Sequence, residues 1–107
     1  MRIAVVDDDP AIRHLVSVTV TLEGHIPGPL FADALDAMAG DWTGVDGAIV
    51  DYMMPHANGG ELVAWLAEHH PDVRVCVLTA HPAPNLPEGT HHVTKDRLAA
   101  AIEWLHA

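Results

Sequence analysis

The sequence predicts an α/β fold, a parallel sheet with helices on both faces, and three observations lead there. The runs "RIAVV", "DGAIVDY" and "VRVCVLT" are almost continuously apolar, as strands covered on both faces are. Segments with helical spacing and helix-type ends alternate with them. A polar residue also stands at or just past the end of each apolar run, so that Asp7 and Asp8, Asp51, and Thr79 fall at equivalent points of successive units.

Arg2 to Val6 reads as the first buried strand. Asp9-Pro10 starts a helix, with Asp9 as N-cap and Pro10 in the first helical position. That helix is expected to end near Gly24, with Ile12, Leu15, Val16, Thr19 and Leu22 sharing one face. "VSVTVTL" also alternates like a strand, and the Asp-Pro before it and the Gly after it decide for helix. "HIPGPL" is a weak strand. Pro27 and Pro29 each remove a backbone donor, so it belongs at a sheet edge.

"FADALDAMAG" predicts a short helix ending at Gly40, and "DGAIVDY" a second buried strand ending at Asp51. "GGELVAWLAEHH" is a helix that turns Leu62, Trp65 and Leu66 to a core and stops at Pro71. "VRVCVLT" ends at Thr79, a short strand "THHVT" leads to Lys95, and a last helix runs from about Asp96 to His106. In that helix Leu98, Ile102 and Leu105 form the core face, with Trp104 pointing well away from it.

The 107 residues make one domain, 1–107, long enough for a single core. No apolar run reaches the ~18 residues of a membrane span. The single cysteine, Cys76, is a small buried hydrophobe and permits no disulfide within the chain, which suits the cytoplasm. A net charge of −10 and five scattered Lys and Arg argue against nucleic-acid binding by this domain.

Ligands of parallel α/β sheets bind at the carboxyl ends of the strands, where Asp7, Asp8, Asp51, Thr79 and Lys95 converge. Clustered carboxylates raise one another's pKa unless a cation neutralises them. Mg²⁺ suits such a seat, with Mn²⁺ as the alternative, because it takes oxygen ligands and keeps waters that a phosphate can replace. Lys95 offers a point charge and Thr79 a hydroxyl, both fitted to phosphoryl oxygens. Asp51, alone at its strand end, is the natural nucleophile for an aspartyl phosphate, leaving Asp7 and Asp8 to hold the ion. The cap role of Asp9 is sufficient, and it stays outside the site.

The segments "VVDDDPAIR", "DALDAM", "IVDYMMPHANGGEL", "VCVLTA" and Lys95, in that order, resemble the receiver domain of two-component response regulators. The resemblance implies a flavodoxin-like, five-stranded parallel sheet of order 2-1-3-4-5. It implies Asp51 as phosphoacceptor, Asp7, Asp8 and Asp51 as metal ligands with the backbone carbonyl of Met53, and Thr79 and Lys95 on the phosphoryl group. A histidine kinase or histidine phosphotransfer protein is the implied donor. His81, two residues past Thr79, takes a position that tunes phosphoryl lifetime in the family, and His56 belongs to the turn after Asp51.

Two features depart from the family pattern. Only residues 80–89 separate the third buried strand from "THHVT", and they include Pro82, Pro84 and Pro87. A crossover helix needs about a dozen residues, so the family's fourth helix is expected to be missing, replaced by a Pro-rich loop. His92 occupies the usually aromatic switch position, and Asp96 follows Lys95 where the family carries proline. Loss of the helix uncovers apolar surface, so residues 80–107, Trp104 among them, are a candidate interface for a downstream target or a homodimer. The alternative for Trp104 is that the loop folds over it.

A phosphoacceptor receiver is thus the first reading, either free-standing or cut from a longer regulator. A degenerate receiver acting as a phosphorylation-independent interaction module is the second. A Mg²⁺-dependent phosphatase fits poorly, because Met53 stands where such enzymes need a second acid. The pairs His69-His70 and His91-His92 do not suit zinc, since adjacent side chains diverge on a strand and sit ~100° apart on a helix.

Overall fold

A computed structural model describes residues 1–80 and 85–107. The elements are β1 (Arg2–Val6), α1 (Pro10–Leu22), β2 (Ile26–Phe31), α2 (Ala34–Ala39), β3 (Gly47–Asp51), α3 (Gly59–His69), β4 (Arg74–Thr79) and β5 (His91–Thr94). A 3₁₀ turn over Lys95–Arg97 then leads into α4 (Leu98–His106). The five strands form one sheet of order β2-β1-β3-β4-β5, every pair parallel. The expected flavodoxin-like order is thus observed, and β2 with its two prolines is the edge strand.

Side chains of the central strands alternate between two cores. Ala4, Val6, Ala48 and Val50 face α2 and α3, where they pack with Phe31, Trp42, Leu62 and Leu66. Ile3, Val5, Ile49, Cys76 and Leu78 face α1 and α4, packing with Val16, Val20, Ile102 and Leu105. Burial on both sides explains why β1 and β3 read as unbroken apolar runs. At the β2 edge Gly28 is required: a Cβ there would lie 2.9 Å from the Ile3 carbonyl group, where the β1–β2 register shifts.

The face expected for α1 needs correction. Val16 and Val20 are buried, with Ile12 packed beside them, whereas Leu15 is 53% and Leu22 80% exposed. Ile12, Val16 and Val20 recur at four-residue spacing and so form one stripe, which leaves Leu15, Val18 and Leu22 on the outer side. Apolar residues encircle this helix, and sequence spacing alone did not single out the inner stripe.

Trp104 also departs from the expected outward position. It is half-buried: its ring stacks on His91 at 4.1 Å and 8°, and the Arg74 guanidinium lies 4.4 Å from its centroid. Among the described residues these two contacts come from β5 and β4. A fourth helix is present in chain order, and it is α4, which follows β5. Between β4 and β5, residues 85–90 are turn and irregular chain, and the remainder of the expected Pro-rich loop, 81–84, lies outside the described residues. His81 lies there too.

Candidate metal and phosphoryl site

Strand register brings the candidate residues together. Val6 lies beside Val50, so the residues that follow, Asp7 and Asp51, leave adjacent strands side by side. Asp51 is level with Leu78, one residue before Thr79, and Thr79 is level with Thr94, one before Lys95. Carboxylate oxygens of Asp7, Asp8 and Asp51 all lie within 4.8 Å of one another. Asp7 and Asp51 are 2% and 3% exposed, and Asp8 is open to solvent.

Local bonds set this corner. The Asp7 N–H donates to the Phe31 carbonyl at 3.1 Å, and the Asp7 carboxylate accepts the Asp9 N–H at 2.9 Å. Asp9 caps α1 by accepting from the Ala11 N–H, with Pro10 starting the helix. Arg13, absent from the sequence-derived set, donates from Nη1 to the Asp7 carbonyl oxygen at 2.7 Å. The available sequence signal was an arginine one turn beyond three acids in a chain with only five Lys and Arg. On the β3 side Gly59 lets α3 close onto the rim. Its N–H donates to the Tyr52 carbonyl at 2.8 Å, and a Cβ there would lie 2.8 Å from the Asp51 carbonyl oxygen.

Lys95 Nζ is 3.1 Å from Asp51 Oδ1. Thr79 is buried, and its hydroxyl donates to the Val93 carbonyl at a long 3.4 Å. Met53 sits on the loop after β3 with its side chain exposed, and its backbone N–H reaches the Asp51 carboxylate. His56 is exposed in that loop, in the left-handed region at φ 73°. His92 is exposed on β5.

Burial pushes the Asp7 carboxyl up to about 6; the Asp9 N–H opposes this, and Asp51 and Asp8 add to it. Burial also raises Asp51, against the bond and charge of Lys95, with Asp8 adding to the rise. For Lys95 burial acts downward, but Asp51, Asp7 and Asp8 outweigh it and the ammonium is held above its usual range. Three acids whose oxygens converge while one lysine offsets them form a hard-oxygen donor set short of positive charge. A divalent ion such as Mg²⁺ fits that deficit, with room for waters on the open Asp8 side.

These features define a class first: a doubly wound parallel α/β domain with a cation-seeking acidic rim beside a lysine. The chain belongs to the response regulator receiver domain family, whose family model matches residues 3–97. It is 35% identical to the response regulator MprA of Mycobacterium avium over 82 residues, which cover 75% of this chain and 35% of MprA. The matched stretch therefore spans about a third of that relative. The response regulator TrrA of Thermotoga maritima, solved in complex with Mg²⁺-BeF, is 26% identical with a TM-score of 0.82, covering 97% of each chain. A structure of the histidine kinase ThkA in complex with TrrA matches at 26% identity and a TM-score of 0.79, over 99% of this chain and 98% of that one. The chain is a receiver domain of two-component signalling. No helix among the described residues is long and apolar enough to cross a membrane.

Proposed function

We propose that this receiver takes a phosphoryl group onto Asp51 from a phosphohistidine of a histidine kinase or phosphotransfer protein, and so switches a protein contact. The observation that carries the reading is the convergence of Asp7, Asp8 and Asp51 within 4.8 Å, with Lys95 on Asp51. The TrrA structures, one with Mg²⁺-BeF and one with a kinase, support the same ion and donor.

Asp7, Asp8, Asp51 and the Met53 carbonyl would hold the ion. Bound Mg²⁺, or Mn²⁺ in its place, supplies positive charge that lets carboxylates and phosphoryl oxygens approach. An Asp51 carboxylate oxygen attacks phosphorus as the P–N bond of the phosphohistidine breaks, the imidazole nitrogen keeping the electron pair. Lys95 and the Thr79 hydroxyl, turned from Val93, stabilise the transferring oxygens. Water attack on phosphorus later cleaves the acyl phosphate and restores the carboxylate.

The output surface in this reading is residues 80–107, meeting a downstream protein or a second copy. Beside it Val63, Ala67, Val75, Pro87 and Trp104 line a groove of about 290 Å³. The acidic charge argues against nucleic-acid contact by this domain, and a cytoplasmic setting with residues 1–107 as one domain completes the proposal.

The test is incubation with Mg²⁺ and acetyl phosphate or phosphoramidate, followed by mass spectrometry. One added phosphoryl group that disappears in Asp51→Ala is the expected result. No addition while Mg²⁺ is bound overturns it in favour of a phosphorylation-independent interaction module.

A further inference from the structure

We infer that Arg13 is a positioning residue for the divalent ion, acting on the peptide that joins Asp7 to Asp8. This rests on the reading of those acids as metal ligands. Asp7 is buried and held on both sides, by the Phe31 carbonyl and the Asp9 N–H. Asp8 is exposed, and its carboxylate accepts no hydrogen bond from the described residues. What fixes Asp8 relative to Asp7 is therefore the peptide between them, and its carbonyl oxygen takes the 2.7 Å bond from Arg13 Nη1. The Arg13 backbone N–H is anchored in turn on the Asp9 carbonyl at 3.0 Å, so the clamp is mounted on the capped first turn of α1. Removing it frees that peptide to rotate and carries the Asp8 carboxylate out of register with Asp7 and Asp51.

The sign of the effect separates positioning from charge. Arg13 is a cation near a cation site, so by Coulomb's law alone its removal tightens ion binding. Positioning predicts the opposite, a loss of about tenfold, as for outer partners that orient metal ligands.

Calorimetric titration with MgCl₂ alone tests this on the wild type, Arg13→Met and Arg13→Lys. Expected are about tenfold weaker binding in Arg13→Met and recovery in Arg13→Lys. Unchanged or tighter binding in a folded Arg13→Met overturns the inference and leaves the metal site standing. Should Arg13→Met not fold, Arg13→Gln, also uncharged, is read by the same criterion: affinity at or above wild type overturns the inference. A wild type that ignores Mg²⁺ fails the site itself and the inference with it.

Discussion

The Lys95 ammonium lies 3.1 Å from the Asp51 carboxylate although their strands, β5 and β3, are separated in the sheet by β4. The lysine reaches past the end of β4, whose last residue, Thr79, is buried. Its side chain thus closes the rim on the side away from Asp7.

Replacing Lys95 with Ala leaves the three acids without that cation. Mg²⁺ binding is expected to hold or tighten, since a competing charge is gone. Phosphorylation by acetyl phosphate at saturating Mg²⁺ is expected to slow about 100-fold, the scale for losing one donor at developing charge. Calorimetry and the rate of mass gain read the two effects separately.

Asp7 gives the metal-free protein an unusual pH dependence. Its folded pKa of about 6 lies above the ordinary 3.8. Its contribution to stability is therefore full below 3.8 and is lost as pH rises through 6, a span of about 3 kcal/mol. Urea unfolding of the wild type against Asp7→Asn is expected to isolate that slope, which the variant lacks. Mg²⁺ needs the ionised carboxylate, so its affinity is expected to weaken as pH falls below about 6.

His91 titrates in the reverse sense. Burial holds its pKa below 6.5, helped by the charges of His92 and Arg74. Its contribution is present above 6.5 and is lost as pH falls through the lowered value, when a charged ring must share the Trp104 stack with Arg74. A proton NMR titration is expected to give His91 a midpoint under 6.5, and His91→Gln to remove that loss of stability.

The α1 stripe is tested by two neighbouring truncations. Val16→Ala removes a fully buried side chain and is expected to cost about 2 kcal/mol. Leu15→Ala, on the exposed side, is expected to stay within about 0.5 kcal/mol. Equal losses in thermal unfolding would contradict the orientation of the helix.

Legibility in the sequence followed the range of the forces involved. The Asp9 cap, Pro10 at the helix start and the Gly40 stop are contacts within a few residues, and each was readable locally. The edge position of β2 followed from its missing proline donors. The inner stripe of α1 was not readable, because Leu15 and Leu22 are as apolar as Val16 and Val20. Nor was the Trp104 cover, which depends on Arg74 and His91 arriving from other strands.

By itself the sequence determined the strand-helix alternation and the polar residue closing each strand. These follow from backbone propensity and from the two-sided burial that a continuous apolar run requires. Tertiary structure alone decided which residues of α1 meet the sheet, how Arg13 grips the Asp7 carbonyl, and what shields Trp104. Those depend on distances between segments remote in the chain, and side-chain chemistry read along one dimension carries no such distances.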